Sequence, residues 1–225
     1  MSKNKKKLNK ALIRTGILFI IFIIYTILVS VVDVKPIGPE GTSVGFAGLN
    51  DMFRNALPYN DVFYNIAKYG GLLAFVVVGF YGVVGLVQLI KGKSLKAVDF
   101  DIYAMGGTYV LTGIVYALFE VLIINYRPVI LEEGLEASYP SSHTILAIAV
   151  LGSALVNMAY RLKHDSELKL YISIGLWVIL AVIVIARTLS GVHWISDIIG
   201  GVIIGASLVS AYDCLFRLLK NRRGN

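Results

Sequence analysis

Two histidines and two arginines lie beside prolines, serines and a carboxylate in three short stretches of the sequence. The stretches are Arg127-Pro128, Pro140-Ser141-Ser142-His143 and Arg187-x5-His193-x3-Asp197. Guanidinium groups bind phosphate oxygens through paired N–H donors. A carboxylate beside an imidazole fixes its tautomer and stabilises its protonated form, which makes the imidazole a nucleophile or a base. These residue types together are suited to phosphoryl transfer.

The local sequence predicts that these side chains lie at helix ends. Either serine after Pro140 is a candidate N-cap, and the free N–H groups and dipole of the following helix favour an anion. Pro128 disfavours helical geometry at Arg127, so a helix should end there. His193 and Asp197 are four residues apart, which places them on one face of the opening turn of a helix.

The composition is that of a membrane protein. Of the 225 residues, 57% belong to the apolar and aromatic set and 16% are charged, with a mean hydropathy of +0.76. Soluble domains carry about 25% charged residues. These values exclude a disordered chain and a coiled coil. A nucleic-acid-binding domain is excluded because the basic residues that give the net charge of +7 border the hydrophobic segments. The single cysteine, Cys214, excludes an intrachain disulfide and a cysteine metal cluster.

Six apolar stretches predict an all-α, six-span transmembrane helical bundle that forms one integral membrane domain over residues 1–225. A bilayer core of about 30 Å needs about 20 helical residues. The predicted spans are Ala11–Val32, Gly70–Ile90, Ile102–Ile124, Ser142–Tyr160, Leu170–Arg187 and Ile195–Leu219. We interpret the first as an uncleaved helix after a basic tail, residues 1–10, and a cleaved signal peptide is the alternative. Gly201 and Gly205 predict a close helix contact in the sixth span.

The distribution of lysine and arginine predicts that both termini, including the tail at residues 220–225, are cytoplasmic. Sixteen of the 21 basic residues fall on the side of the termini, and cytoplasmic segments carry the excess of positive charge. Four span ends then meet on the extracytoplasmic side of what is expected to be the plasma membrane. They carry Glu120, Arg127, Ser141, Ser142, His143, Arg187, His193 and Asp197. Ionisable groups at membrane depth are costly, so this cluster is the candidate site.

The longest non-spanning segment, residues 34–69, is predicted to be an extracytoplasmic loop. Apolar residues recur at helical spacing between Phe46 and Leu57, which indicates an amphipathic helix in the outer interface. Two interpretations stay open: a plug that fills space between spans, or a lid over the site.

The order and spacing of the three motifs resemble those of the type 2 phosphatidic acid phosphatase superfamily of membrane lipid phosphatases. The signature of that family is K-x6-R-P, P-S-G-H and S-R-x5-H-x3-D. The resemblance implies that His193 attacks phosphorus and forms a phosphohistidine, that Asp197 orients it, and that His143 protonates the leaving oxygen and then activates water. It implies that the phosphate oxygens are held by four residues and that no metal or cofactor is needed. These four are Arg127, Arg187, Ser141 and the backbone N–H near Ser142.

Three positions depart from the signature. Ser142 replaces glycine and Ala186 replaces serine, and both changes are mild. Glu120 stands where the family has lysine, which reverses a charge beside the proposed phosphate. Glu120 either pairs with Arg127 or Arg187, or tilts away, and it indicates either a different headgroup or a weakened enzyme.

The resemblance implies a lipid phosphate or pyrophosphate that enters from the outer leaflet, with no nucleic acid as partner. For a bacterial protein the candidates are undecaprenyl pyrophosphate, phosphatidic acid and phosphatidylglycerol phosphate, in that order. Two alternatives remain: a lipid phosphotransferase of the same fold, and a catalytically weakened lipid-binding protein. Zinc held by His143, His193 and Asp197 is disfavoured, and the sequence does not determine the oligomeric state.

Overall fold

The computed structural model describes residues 3–131 and 134–223, and within them the chain is helical with no strands beyond isolated bridges. Its α-helices are α1 (Lys3–Val31), α2 (Ala47–Ala56), α3 (Asp61–Gly92), α4 (Phe100–Val121), α5 (Ser142–Arg161), α6 (Ser166–Leu189) and α7 (Ile195–Arg223). All except α2 are long and apolar enough to cross a membrane. The predicted all-α, six-span bundle is confirmed, and the protein is an integral membrane protein.

The bounds of α2 and the start of α3 can be compared with the prediction for the segment before the second span. The interfacial helix α2 begins one residue after Phe46 and ends one residue before Leu57, close to the predicted bounds. Helix α3 begins at Asp61 rather than at Gly70, so the loop that was predicted to reach residue 69 is shorter. Asn60 caps α3 by accepting hydrogen bonds from Val62 N and Phe63 N, a signal that hydropathy does not register.

Helices α5 and α7 form the buried centre of the bundle. In their most apolar windows 56% and 61% of residues are buried, against 11% in α1, α3 and α6, whose apolar faces are left for lipid. A Cβ at Gly201 would lie 2.9 Å from Thr144 Cβ, and one at Gly205 would lie 2.8 Å from Ile148 Cβ. The two glycines therefore let α7 approach α5 closely, as their spacing predicts.

The spans run alternately up and down, so the predicted site residues meet at one end of the bundle, called here the site end. There Ser141 N donates to Asp197 O at 3.0 Å, which joins the starts of α5 and α7. At the far end, Arg161 Nε donates to Asp101 Oδ2 at 2.6 Å and joins α5 to α4. Asn157 extends this buried far-end network by donating to Asp101 at 2.8 Å. Polar contacts at both ends thus align α4, α5 and α7.

Candidate active site

The turn between α6 and α7 carries His193 and is held in place by a glycine. Gly191 has φ +66°, and a Cβ there would lie 2.7 Å from the backbone of Pro58 and Tyr59. Only glycine combines this conformation with so close an approach. The turn therefore packs against the chain that leads into α3, which positions the histidine rigidly.

His193 contacts an arginine on one ring nitrogen and a serine on the other. Arg187 Nη2 lies 2.8 Å from His193 Nε2, and Ser138 Oγ lies 3.0 Å from His193 Nδ1. Because arginine can only donate, Nε2 accepts, and the proton of the neutral ring is on Nδ1. The Nε2 lone pair therefore points to the arginine. Attack on a phosphate bound by that arginine requires this nitrogen and this direction.

Asp197 acts on His193 through Ser138 rather than by direct contact alone. The Ser138 hydroxyl donates to Asp197 Oδ2 in a short hydrogen bond, while Asp197 Oδ2 is 3.6 Å from His193 Nδ1. Trp194 N and Asn125 Nδ2 also donate to the carboxylate, each at 3.0 Å. The i,i+4 spacing predicts that His193 pairs with Asp197, and Ser138 adds a bridge between them. His193 Nδ1–H donates to Ser138 Oγ, and the Ser138 hydroxyl donates to the Asp197 carboxylate.

We expect Ser138→Ala to lower kcat by about 10- to 100-fold, because Nδ1–H loses its nearest acceptor and the ring loses its orientation. KM should change less, since no phosphate contact is removed. The measurement is steady-state phosphate release by the purified protein. Ser207→Ala is the matched control, since that hydroxyl bonds only the Ile203 carbonyl of α7 at 2.8 Å. An unaltered kcat in Ser138→Ala would show that the bridge has no catalytic role.

The two arginines present unpaired N–H groups in the site. Arg187 is 1% exposed, and its Nε and Nη1 have no hydrogen-bond partner among the described residues. Arg127 Nη2 pairs with Glu136 Oε2 at 2.6 Å, whereas its Nε is buried without a partner in the described part of the chain. Buried charged groups without partners are costly and rare. This arrangement is therefore typical of an anion-binding site.

The electrostatic environment keeps His193 neutral. Burial is the main cause that lowers the pKa of His193 well below its usual range, and the positive charges of Arg187 and Arg127 lower it further. Near neutral pH the ring therefore stays unprotonated at Nε2. A bound phosphate would offset the two cations and favour the protonated or phosphorylated ring.

The lowered pKa predicts that His193 does not titrate in the empty protein between about pH 7.5 and about pH 5.5, where an ordinary histidine with a pKa of about 6.5 gains its proton. With three histidines in the chain, histidine-selective NMR resolves the question. The His193 signal is assigned by its loss in His193→Gln. Titration of that signal near pH 6.5 would contradict the assignment of a desolvated, cation-flanked ring.

His143 and Ser142 separate two cavities at the site end. The apolar cavity, about 660 Å³, is lined by both residues and by apolar side chains that include Leu72, Phe75 and Leu146. The polar cavity, about 530 Å³, is lined by both residues and by Glu120, Arg127, Glu136 and Ser138 among others. The second histidine thus lies where an apolar and a polar part of one ligand would meet.

The remaining predicted residues occupy the same end. Ser141 is the N-cap of α5 by position but makes no side-chain cap bond, and its hydroxyl accepts from Thr144 at 3.0 Å. Glu120 is exposed at the wall of the polar cavity, and among the described ion pairs Arg127 pairs with Glu136 instead. Among the described residues, no three histidine, cysteine or carboxylate side chains could hold a metal ion.

Helix α2 is joined to the site through Asn50. Asn50 is fully buried. Its Nδ2 donates to Ser196 Oγ at 2.9 Å and its Oδ1 accepts from Ser196 N at 3.1 Å, beside Asp197. These contacts favour the plug interpretation over the lid.

Four residues of the site were not predicted from the sequence: Ser138, Glu136, Asn125 and Asn50. Only Ser138 carried a local signal, because it lies two residues before Pro140 of the second motif. The other three reach the site from separate segments, and their types are common in loops.

Comparison with known proteins finds one matching family and two solved structures of similar fold. A sequence model of the PAP2 superfamily matches residues 102–218, and no curated protein sequence matches the chain. The fold is similar to the crystal structure of the first transmembrane PAP2-type phosphatidylglycerolphosphate phosphatase from Bacillus subtilis. The TM-score is 0.57 at 19% identity, covering 93% of this chain and 96% of that one. Aquifex aeolicus LpxE gives a TM-score of 0.49 at 18% identity, covering 76% and 96%.

Proposed function

The chain belongs to the PAP2 superfamily, and from this membership we propose that it is a metal-independent lipid phosphatase in which His193 receives the phosphoryl group. The observation that carries the proposal is the set of unpaired N–H groups on Arg187 and Arg127, with Arg187 in contact with His193 Nε2. A phosphate that binds these groups and displaces the contact between Arg187 Nη2 and Nε2 would meet the nucleophile. Preorganised donors of this kind are the main means of stabilising the charge of a phosphoryl-transfer transition state.

In the proposed first step, His193 Nε2 attacks phosphorus and the bond from phosphorus to the lipid oxygen breaks. His143 gives a proton to that oxygen. Asp197, through Ser138, stabilises the positive charge that the attack places on the imidazole. In the second step His143 removes a proton from water, the water oxygen attacks phosphorus, and the P–N bond breaks to release phosphate and restore His193.

The two cavities support a lipid substrate. The apolar cavity is lined by residues of α3, α4 and α5 and suits an acyl or prenyl tail, whereas the polar cavity suits a headgroup or a second phosphate. We propose undecaprenyl pyrophosphate, phosphatidic acid and phosphatidylglycerol phosphate as the substrates to test first. His193 and Arg187 line neither cavity, so the phosphate would lie at the junction between His143 and these two side chains.

We further propose that the site end faces away from the cytoplasm and that the membrane is the plasma membrane. The support is the excess of lysine and arginine toward the opposite end, where sixteen of 21 basic residues fall. Cysteine substitutions tested with an impermeant thiol reagent decide the orientation, provided that the buried Cys214 is first replaced. Labelling of a site-end cysteine from the cytoplasmic side would overturn it.

The decisive experiment measures inorganic phosphate released by the purified protein from the three lipids in the presence of a chelator. We expect release from at least one lipid and little from a soluble phosphomonoester, which cannot fill the apolar cavity. Release that requires an added acceptor lipid would favour the phosphotransferase alternative. Activity that arises only in Glu120→Lys would favour the weakened lipid-binding alternative, and activity lost in chelator would contradict the proposal.

A further inference from the structure

The two arginines alone do not neutralise the negative charge of the proposed phosphate. A phosphomonoester carries about −1.5 to −2 charges at pH 7. Arg127 is already paired with Glu136, and Glu120 adds a second carboxylate to the same polar cavity. Of the two arginines, only Arg187 then has no ion pair with a described carboxylate. A site that holds a dianion needs a further cation.

We propose that Lys68 of α3 is this cation, a phosphate-binding residue that replaces the positive charge missing at position 120. The inference rests on the proposed function and assigns one more residue to it. Lys68 lines the apolar cavity together with Ser142 and His143. It thus lies on the opposite side of His143 from Glu120, which lines only the polar cavity.

The position of α3 relative to His143 is set by Gly71. A Cβ on Gly71 would lie 3.1 Å from His143 Cδ2 and 3.7 Å from His143 Nε2, so the helix backbone passes directly beside the imidazole. Lys68 is three residues earlier on the same helix, and residues so spaced share a face. Because α3 begins at the site end, Lys68 lies one turn from His143 toward that end.

An aromatic ring connects Lys68 to the arginine of the site. Lys68 Nζ and Arg187 Cζ each lie 5.8 Å from the centroid of the Tyr64 ring. Cation–π contacts at an exposed position are weak, so they orient Lys68 toward the site without holding it. Among the residues that the structure describes, no carboxylate forms an ion pair with Lys68, and the side chain is exposed. Its flexible four-carbon stem can therefore turn toward a phosphate.

The competing explanation is an anchoring lysine that extends to the lipid headgroups from a helix end. Such a residue affects insertion or stability but does not change the affinity for a small anion. Inorganic phosphate is therefore the discriminating probe. Its binding is measured from the rise in melting temperature of the detergent-solubilised full chain, alongside kcat and KM for lipid hydrolysis.

We expect Lys68→Met to weaken phosphate binding and to lower kcat/KM by about 10- to 100-fold, as for loss of one charged hydrogen bond. Lys68→Arg should keep most of the phosphate affinity and most of kcat/KM. Lys91→Met is the matched control, an exposed lysine on the same helix about 35 Å away. The melting curve without phosphate reports directly whether each variant folds.

Glu120→Lys in the Lys68→Met background tests whether both positions serve one phosphate, and we expect it to restore phosphate affinity. Failure to restore it, or a Lys68→Met variant indistinguishable from Lys91→Met, overturns the inference. If wild type hydrolyses lipid while Lys68→Met is unaffected, only this inference fails. If wild type neither binds phosphate nor hydrolyses any lipid, the proposed function fails with it.

Discussion

We expect replacement of His193 by alanine to lower kcat/KM for lipid phosphate hydrolysis by at least about 10⁴-fold, because the proposed reaction loses the atom that forms the bond to phosphorus. The structure supplies the reason for so large an effect. In the described residues Nε2 of His193 contacts Nη2 of Arg187, whose other two nitrogens have no partner, and the lowered pKa of His193 keeps Nε2 unprotonated. Substrate binding should be nearly unchanged, since the arginines remain.

His164→Ala is the matched control for this experiment. His164 is an exposed histidine in the turn between α5 and α6, at the far end of the bundle, and its loss should leave kcat unchanged. The folding of both variants is compared by their melting curves. Hydrolysis by His193→Ala at a rate near that of wild type would exclude His193 as the nucleophile and leave the proposed mechanism without support.

We expect replacement of Arg187 by lysine, although it keeps the charge, to lower kcat/KM by about 10²- to 10³-fold, the range seen when a preorganised transition-state donor is removed. The guanidinium offers two partnerless nitrogens in a fixed plane beside a third that contacts His193. Lysine has one nitrogen on a flexible stem and cannot reproduce that fork. The loss should appear in kcat as well as in KM, since the charge on the equatorial oxygens is redistributed in the transition state.

The control for the charge-conserving change is Arg217→Lys. Arg217 lies on α7 and pairs with Asp213 at 2.9 Å, away from the site, so its replacement should not alter kinetics. Both variants are measured on the best lipid of the panel. A change confined to KM would show that Arg187 binds substrate without acting in the chemical step.

Hydropathy, turn residues and motif spacing predicted much of the fold of this protein. The six spans and the interfacial helix followed from local patterns, because a helix in lipid satisfies its backbone groups within its own segment. The resemblance of the three motifs to the PAP2 family is confirmed by the family match over residues 102–218. The roles of the individual site residues remain predictions, although the structure does bring His143, His193 and both arginines to one end of the bundle.

Other features of the site depended on contacts between distant segments. Ser138 meets His193 across 55 positions of sequence, Asn50 reaches Ser196 across 146, and Lys68 lies beside His143 only because α3 approaches at Gly71. No local propensity encodes such pairs, since they arise from how helices pack rather than from how each one forms. The sequence alone therefore determined which segments cross the membrane and which motifs they carry. The tertiary structure decided which polar side chains form hydrogen bonds and ion pairs with one another, because these interactions depend on distances of a few ångströms that only packing sets.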